Sequence, residues 1–199
     1  MEFNNVVLEG KRARLVPMEK SHAAALFAGA QDESIWAHMP LKIKTLADMK
    51  ALVEAALKAR DTGLEYPFVI QEKAGEQIVG STRFLDINDK DRGLEIGWTW
   101  IIPRVWGSHF NTECKYLLLK HCFEMQKAIR VFFKTDDRNL RSQKAIAKIG
   151  GVKEGVLRNH RIRPDGSFRH SVYFSIIDSE WPGVEKKLLA MMGDADGRT

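Results

Sequence analysis

The first part of the chain changes from strand-like to helix-like spacing of its apolar residues. Leu8 to Met18 alternate loosely and predict a first strand, and the Ala-rich segment Lys20 to Gln31 predicts a helix. Over residues 46–57, apolar side chains return every three or four positions, as the buried face of a helix requires. Thr45 and Asp48 form a capping-box pattern at the start of that helix, with Asp in place of the commoner Glu.

Three strand-like runs follow and predict an antiparallel meander. They are Tyr66–Gln71, Ile78–Asp86 and Leu94–Ile101, and the spacers between them have the composition of turns. Strict alternation in the third run would put four large residues on one face of the strand and three others on the opposite face. The first set is Leu94, Ile96, Trp98 and Trp100, and the second is Glu95, Gly97 and Thr99.

Helices and strands alternate in the rest of the chain. Residues 114–125 have helical spacing, Ile129–Thr135 predicts a strand, and Leu140–Ile149 predicts a helix that Gly150 ends. The remaining predicted elements are two strands and a helix, Val152–Arg158, Arg169–Ile177 and Ser179–Met192. The strand–helix–strand order indicates a parallel βαβ unit in the middle of the sheet. We therefore expect a single mixed α/β domain over residues 1–199, with helices on both faces of the sheet and a flexible tail at residues 193–199.

Composition and charge are those of a soluble domain and do not identify its ligand. The 199 residues are 44% hydrophobic and 29% charged, and no apolar run approaches the roughly 18–20 residues of a membrane span. The first residues do not resemble a signal peptide, so a cytoplasmic protein without a membrane partner is expected. The net charge of +5 favours anionic ligands, but no helix-turn-helix, zinc or aromatic single-strand signature supports nucleic-acid binding. The pattern leaves open whether the chain forms a homodimer.

The two cysteines are predicted to be reduced. Cys114 and Cys122 lie eight residues apart in one predicted helix, which separates them by about 12 Å along its axis. A disulfide needs Cα atoms within about 7 Å. Without histidines at ligand spacing they also make a poor metal site, so no metal is expected.

Two short segments carry candidate chemistry. A predicted strand ends at Ile101, and the loop Arg104–His109, which contains Gly107, leads into a helix. This arrangement can build an anion site from main-chain N–H groups, to which Arg104 could add a charged contact. Downstream, Asn139 is suited to cap the next helix, or to face a ligand together with the Ser142 hydroxyl at the C-terminal end of the neighbouring strand.

The order of several motifs resembles the RimJ/RimL-like branch of the GNAT superfamily, the ribosomal-protein N-terminal acetyltransferases. The resemblance covers residues from about 6 to 185. Its motifs are Leu8-Glu9-Gly10, Ile35-Trp36, Trp106-Gly107, Thr112-Glu113, Leu117-Leu118-Leu119, Asp137-x-Asn139-x-x-Ser142, Lys148-x-Gly150, Glu154-Gly155, Asp165-Gly166 and Glu180-Trp181. The joint occurrence of these motifs is far more specific than any one of them.

This resemblance implies direct acetyl transfer from acetyl-CoA to an amine acceptor, either a protein N-terminus or a small molecule. It implies that the main-chain amides of Val105, Trp106, Gly107, Ser108, His109 and Phe110 bind the pyrophosphate. The strand end at Trp98, Trp100 and Ile101 would pair with the pantetheine arm and offer an N–H to the thioester carbonyl. Asn139 would hold the pantetheine and Ser142 would lie near the sulfur. The sequence departs from the family pattern at His109, where the loop usually has a second glycine, and at Ile146, where many relatives have a tyrosine.

For the base that accepts the amine proton, Glu95 is the first candidate, and a solvated strand carboxylate or an ion pair is its alternative. Glu113 suits the first turn of a helix and is expected to be structural. His109 and Asp86 are weaker candidates. His160 lies among Arg158, Arg161 and Arg163, and is expected to belong to a basic hairpin that meets phosphate or an acidic substrate.

Three alternatives stay open. The fold could bind acyl-CoA without transferring the acyl group, as the departures at His109 and Ile146 suggest. It could use a longer acyl-CoA. It could also be a basic protein associated with nucleic acid, although charge alone suggests this.

Overall fold

The computed structural model describes residues 1–3, 5–163 and 165–193. Within them the chain forms an eight-stranded mixed sheet in the order β1-β2-β3-β4-β5-β6-β8-β7. The strands are β1 Leu8–Glu9, β2 Ala13–Pro17, β3 Glu65–Glu72, β4 Gln77–Asn88, β5 Gly93–Ile101, β6 Arg130–Asp136, β7 Val152–Ile162 and β8 Phe168–Ile177. The antiparallel meander is confirmed, as is the parallel pairing, which joins β5 to β6. The tail predicted beyond Gly193 lies outside the described residues.

The α-helices lie close to their predicted places. They are α1 Ala23–Gly29, α2 Leu46–Asp61, α3 Phe110–Lys120, α4 Leu140–Lys148 and α5 Trp181–Gly193. A 3-10 turn precedes α1, and a π-helical turn over His121–Met125 continues α3. The capping box at α2 is confirmed, since the Thr45 hydroxyl accepts from the Asp48 amide and the Asp48 carboxylate accepts from the Thr45 amide. No helix in the described ranges is both long and apolar enough to cross a bilayer.

The sheet separates two groups of buried apolar side chains. Successive residues of β3 alternate between them, with Phe68 and Ile70 in the cluster that includes α3 and α5, and Val69 in the cluster that includes α1 and α2. Both faces of the central strands are therefore buried, which explains why β3 reads as an almost continuous apolar run. Helices cover both faces, as predicted.

The first predicted strand is wrong in one respect, because it is two strands. β1 pairs antiparallel with β2, and the connection between them starts with an amide of Gly10 that donates to the Ala13 carbonyl over 2.9 Å. Apolar residues at Leu8 and Leu15 lie directly opposite each other in this pair. In one continuous strand Leu8 and Leu15, seven positions apart, would lie on opposite faces, so the hairpin explains why the alternation of this segment is only loose.

The predicted faces of β5 are also wrong. Between the pairs Arg83–Gly97 and Ser81–Trp100, β5 contains one residue more than β4, and Trp98 adopts a φ of 50°. This bulge moves the following side chains to the opposite faces. Leu94 and Ile96 therefore face α3, whereas Trp98 and Trp100 pack with the α1/α2 cluster.

The bulge is held from both sides. The guanidinium of Arg83 lies over the Trp98 ring at 4.5 Å and pairs with Glu65 at 2.7 Å. On the other face, the hydroxyls of Thr82 and Thr99 are 2.7 Å apart. Positive φ is costly for a residue with a side chain, and these contacts keep it in place.

Candidate active site

A cleft of about 1270 Å³ opens where β5 and β6 separate. The two strands pair only from Gly93 to Glu95 on β5, although both continue beyond that point. Eight of the residues predicted to bind cofactor or catalyse transfer line this cleft: Glu95, Trp98, Trp100, Ile101, Trp106, Gly107, Asn139 and Ser142. A cavity of about 650 Å³ beside β2 and α2 contains none of them. The cleft is therefore the candidate site.

The loop before α3 leaves a run of main-chain amides free. Gly107 has a φ of 71°, which residues with a side chain rarely adopt, although an added Cβ would meet nothing within 4 Å. Among the hydrogen bonds of the described residues, none uses the amides of Gly107, Ser108 or His109. These amides and the positive end of the 11-residue helix α3 form an anion site suited to a diphosphate.

The other amides predicted to bind pyrophosphate are used inside the protein. Those of Val105 and Trp106 donate to carbonyls of the preceding turn over 3.2 and 2.9 Å. The Phe110 amide donates to the Ser108 hydroxyl over 3.2 Å, and that hydroxyl donates to the Val105 carbonyl. Of the six amides predicted to bind pyrophosphate, the three of Gly107, Ser108 and His109 therefore remain available.

Several side chains of this loop point away from the cleft. Arg104 forms an ion pair with Glu72 at 2.7 Å, and Val105 and Phe110 belong to the core beneath α3. Arg104 is thus engaged elsewhere and is not placed to reach a phosphate in the cleft. His109 has a φ of −75°, so its backbone needs no glycine, and the departure from the family pattern is compatible with the same loop shape.

The N-terminal end of α4 supplies polar groups to the cleft. The Asn139 Oδ1 caps α4 by accepting from the Ser142 amide over 3.0 Å, which leaves the Asn139 Nδ2 available to a ligand. The capping and functional interpretations of Asn139 are therefore compatible. Ser142 and Ile146 line the cleft one helical turn apart.

Glu95 lies at the point where β5 and β6 separate, and it is 4% exposed. Its Oε2 forms an ion pair with the Lys134 ammonium at 2.6 Å, and no other donor among the described residues reaches that oxygen. Gly97 allows this placement, since a Cβ there would lie 2.6 Å from the Glu95 Oε1. Glu95 is thus buried and not a solvated carboxylate, whereas the ion pair of the alternative interpretation is present, with Lys134 as the partner.

Burial raises the pKa of Glu95 to about 7, and the Asp86 carboxylate adds to the increase while Lys134 opposes it. Lys134 is also partly withdrawn from water, but its contacts with Asp86 and Glu95 outweigh that effect and raise its pKa. The two pKa shifts have different causes. Glu95 is deeply buried and has only one neighbouring cation, so burial dominates, whereas Lys134 has two neighbouring carboxylates, which favour its charged form. Glu95 therefore titrates near neutral pH, as a general base should.

The sequence did not reveal Lys115, which also lines the cleft. Its ammonium donates to the Thr99 hydroxyl over 2.6 Å, and the residue is 6% exposed. No carboxylate of the described residues forms an ion pair with it, and burial lowers its pKa to about 8. The sequence did contain one signal of its burial. Lys115 follows Cys114 and lies one helical turn after Asn111, so its charge interrupts a helix face that is otherwise buried.

The other candidate residues have structural or peripheral positions. Both Glu113 oxygens accept from the Arg12 amide, at 3.0 and 3.3 Å, so Glu113 fixes the β1–β2 connection as expected of a structural residue. Asp86 is mostly exposed and its ion pair with Lys134 lowers its pKa, which makes it a weaker base than Glu95. Cys114 and Cys122 are free and buried, and burial raises the pKa of Cys114 to about 12. In residues 1–3, 5–163 and 165–193, no group of three or more metal-binding side chains is placed to hold an ion.

Comparison with known proteins gives consistent matches. The acetyltransferase (GNAT) domain model matches residues 12–152. The uncharacterized N-acetyltransferase YoaA of Bacillus subtilis is 24% identical over 84% of this chain and 94% of its own. A solved structure from T. thermophilus, described as an acetyltransferase, is 35% identical over 96% of this chain and 98% of its own, with a TM-score of 0.85.

A solved structure of Mycobacterium smegmatis RimJ in complex with CoA-disulfide has the same fold. It is 20% identical, covers 94% of this chain and 95% of its own, and has a TM-score of 0.81. The family match, the extent of the alignments and the cleft agree with the resemblance found in the sequence. The chain therefore belongs to the GNAT acetyltransferase family and is an acetyl-CoA-dependent acyltransferase.

Proposed function

We propose that this chain transfers an acetyl group from acetyl-CoA directly to a primary amine, on a protein N-terminus or a small molecule. The observation that carries the proposal is the continuity of one cleft from Gly107 to Glu95. Neighbours of the same fold support the acceptor class, since they include a ribosomal-protein-S5-alanine acetyltransferase from Vibrio fischeri.

The donor occupies the end of the cleft nearest α3 and α4. The free amides from Gly107 to His109 bind the diphosphate, and the pantetheine arm runs along the unpaired edge of β5, as an added strand would. The Asn139 Nδ2 donates to the pantetheine. Trp106 borders this end, where its indole N–H donates to the Ile101 carbonyl over 2.8 Å and the Arg141 guanidinium lies over its ring.

The acceptor enters from the opposite end and gives a proton to Glu95, directly or through one water. An α-ammonium has an ordinary pKa of about 7.7–8.0, so a carboxylate that titrates at about 7 is a matched base. The amine nitrogen attacks the thioester carbon, and main-chain N–H groups at the Trp98 bulge stabilise the resulting oxyanion. The C–S bond then breaks, the departing CoA thiolate takes a proton from the Ser142 hydroxyl, and the second proton of the nitrogen passes through water to restore that hydroxyl.

Thermal denaturation and thiol release test the proposal. Coenzyme A in large excess should raise the melting temperature, because a ligand that binds only the folded state stabilises it. Acetyl-CoA should release free thiol with some member of a panel of N-terminal peptides, polyamines and amino acids. Parallel reactions with longer acyl-CoA donors identify the preferred acyl group.

The variant Ser142→Ala separates transfer from simple binding of acyl-CoA. Transfer predicts that it keeps the coenzyme A melting shift and loses turnover about tenfold, within the range of general acid assistance. A chain that only binds coenzyme A would show no thiol release in either form. Absence of a melting shift in the unmodified chain would contradict the proposed function.

A further inference from the structure

The lining of the cleft has an excess of positive charge. Eight lysines and arginines line the cleft, against five aspartates and glutamates. Most of the carboxylates are already committed, since Asp86 and Glu95 contact Lys134 and Asp136 contacts Arg163. The basic hairpin expected from the sequence is therefore divided, because Arg163 is neutralised and cannot serve a ligand.

Two guanidiniums of this hairpin line the cleft and remain uncommitted among the described residues. Arg161 on β7 and Arg169 on β8 are directly paired in the sheet register, and both line the cleft. Neither guanidinium forms an ion pair or a hydrogen bond with any residue that the structure describes, and the Arg169 Nε is buried without an acceptor. Withdrawal from water lowers the pKa of Arg169, an effect that Asp136 and Glu95 partly offset. A half-buried guanidinium without an anion is costly unless a ligand supplies one.

The shape of the hairpin explains why these arginines face the cleft. β6 ends where Asp136 pairs with Ser171, so the part of the hairpin that contains Arg161 and Arg169 extends past the end of β6. Between Leu157 and Arg161, β7 contains two residues more than β8, and Asn159 has a φ of 50°. Such a bulge redirects side chains and is common beside active sites.

A row of side chains on the same face of the hairpin extends from the two arginines towards the Glu95 carboxylate. Arg169, Ser171 and Tyr173 alternate along β8 and thus share a face. The Ser171 hydroxyl is 2.9 Å from the His160 Nδ1, and the Lys134 ammonium lies over the Tyr173 ring at 5.8 Å. Lys134 in turn contacts Glu95. A ligand between the arginines and Glu95 would therefore have its anionic group at one end and its amine at the other.

We propose that the amine acceptor carries a carboxylate close to its amino group, and that Arg161 and Arg169 bind this carboxylate while Glu95 receives the amine. The guanidinium fork matches the two oxygens of a carboxylate, which fixes the orientation of the acceptor. The assignment rests on the proposed function and specifies its substrate class. Two sources share the required chemistry: a free amino acid, through its α-carboxylate, and a peptide that begins with an acidic residue.

Matched acceptors test the substrate class. Each of the standard amino acids is compared with its α-amide, and peptides that begin with Asp or Glu are compared with those that begin with Asn or Gln. At least one acid-bearing amine should have a kcat/KM about tenfold or more above that of its neutral counterpart. Preference within the first group would identify a free amino acid, and preference within the second an acidic N-terminus.

Variants test the two arginines. Arg161→Gln and Arg169→Gln should each lower kcat/KM for the acid-bearing amine by about tenfold, mainly through KM, and change that for the neutral amine by about twofold or less. Arg169→Lys keeps the charge but not the fork, and should retain part of the preference. Arg158→Gln is the matched control, because Arg158 is exposed on β7 outside the cleft.

The coenzyme A melting shift separates failure of this assignment from failure of the proposed function. If the shift is present but neutral amines are used as well as acidic ones, or no acid-bearing amine reacts, the assignment is overturned and the donor site stands. An increase in KM for acetyl-CoA, with that for the acceptor unchanged, would overturn it by showing that the arginines serve the donor phosphates. Absence of the shift in the unmodified chain would overturn the proposed function and the assignment together.

Discussion

The two ends of the cleft are built in different ways. The donor end consists largely of main chain from two short segments, the Gly107 turn with the start of α3, and the start of α4. The acceptor end consists of side chains from β5, β6, β7 and β8, which meet only because these strands lie side by side. A main-chain site depends on local conformation, whereas a side-chain site depends on sheet register, and the two should respond differently to substitution.

The largest effect is expected at the acceptor end, from Glu95→Gln. Loss of the base should lower kcat by about 10²–10⁴-fold and leave the coenzyme A melting shift unchanged. Because Glu95 must be deprotonated to accept a proton, kcat/KM of the unmodified chain should increase with pH through about 7, and the variant should lack this step. Steady-state rates of the unmodified chain and of the variant would show whether this step is present. Measurements from pH 5.5 to 9 extend about 1.5–2 units on either side of the Glu95 pKa.

The matched control for Glu95 is Asp86→Asn. Asp86 contacts the same Lys134 and its charge raises the pKa of Glu95, so its removal should move the midpoint to lower pH without abolishing turnover. Full activity of Glu95→Gln would contradict the assignment of the base.

An intermediate effect is expected at the donor end, from Gly107→Ala. A residue with a side chain at a φ of 71° costs about 1–2 kcal/mol, which would weaken coenzyme A binding by about 5- to 30-fold as the turn relaxes. Isothermal titration calorimetry would measure this, and the acceptor KM should stay unchanged.

Gly155→Ala is the control for Gly107. An added Cβ at Gly155 also meets nothing within 4 Å, but its φ lies outside the left-handed region. If the two substitutions changed the affinity for coenzyme A equally, the backbone conformation of Gly107 would not contribute to donor binding.

The smallest effect is expected beneath the bulge, from Lys115→Met. The folded-state pKa of Lys115 is lowered to about 8 from an ordinary 10.5, so the unfolded chain holds its proton more tightly and stability should increase as pH rises from about 8 to 10.5. At pH 7 the variant removes a buried charge and one hydrogen bond, and we expect it to be more stable by about 1–2 kcal/mol. Urea unfolding without ligand at pH 7 and pH 10 would measure the difference.

Lys50→Met on the exposed side of α2 serves as the control for Lys115. It should change stability little at either pH, since an exposed lysine keeps its ordinary hydration. If Lys115→Met were strongly destabilised at pH 7, the contact with Thr99 would outweigh the cost of burying the charge.

The sequence carries more information about the cleft around Gly107 and Asn139 than about the cleft around Glu95, for physical reasons. A glycine between a strand and a helix, and an Asn three residues before Ser142, act on their own neighbourhood, so their positions along the chain carry the information. Lys134 has no such signal, because a lysine on a strand ordinarily faces solvent. Its contact with Glu95 exists because β6 lies parallel to β5 with Glu95 opposite Phe132.

The orientation of Trp98 on β5 shows a second limit of prediction from sequence. Period-two alternation assigns faces correctly only where the strand has no bulge, and nothing in Gly97-Trp98-Thr99 announces the extra residue. The bulge is held by Arg83 and Thr82 of the neighbouring strand, so it depends on tertiary contacts.

The sequence by itself determined the order and type of most elements, the family, the Gly107 turn and the candidate base Glu95. These depend on periodicity, turn chemistry and local motifs, which act over a few residues. Only the tertiary structure decided that β5 and β6 separate after Glu95, that Lys115 is buried, and that the guanidiniums of Arg161 and Arg169 line the cleft without partners among the described residues. Burial, charge pairing and strand register arise between segments far apart in the chain, so local sequence patterns do not reveal the protonation behaviour of the site.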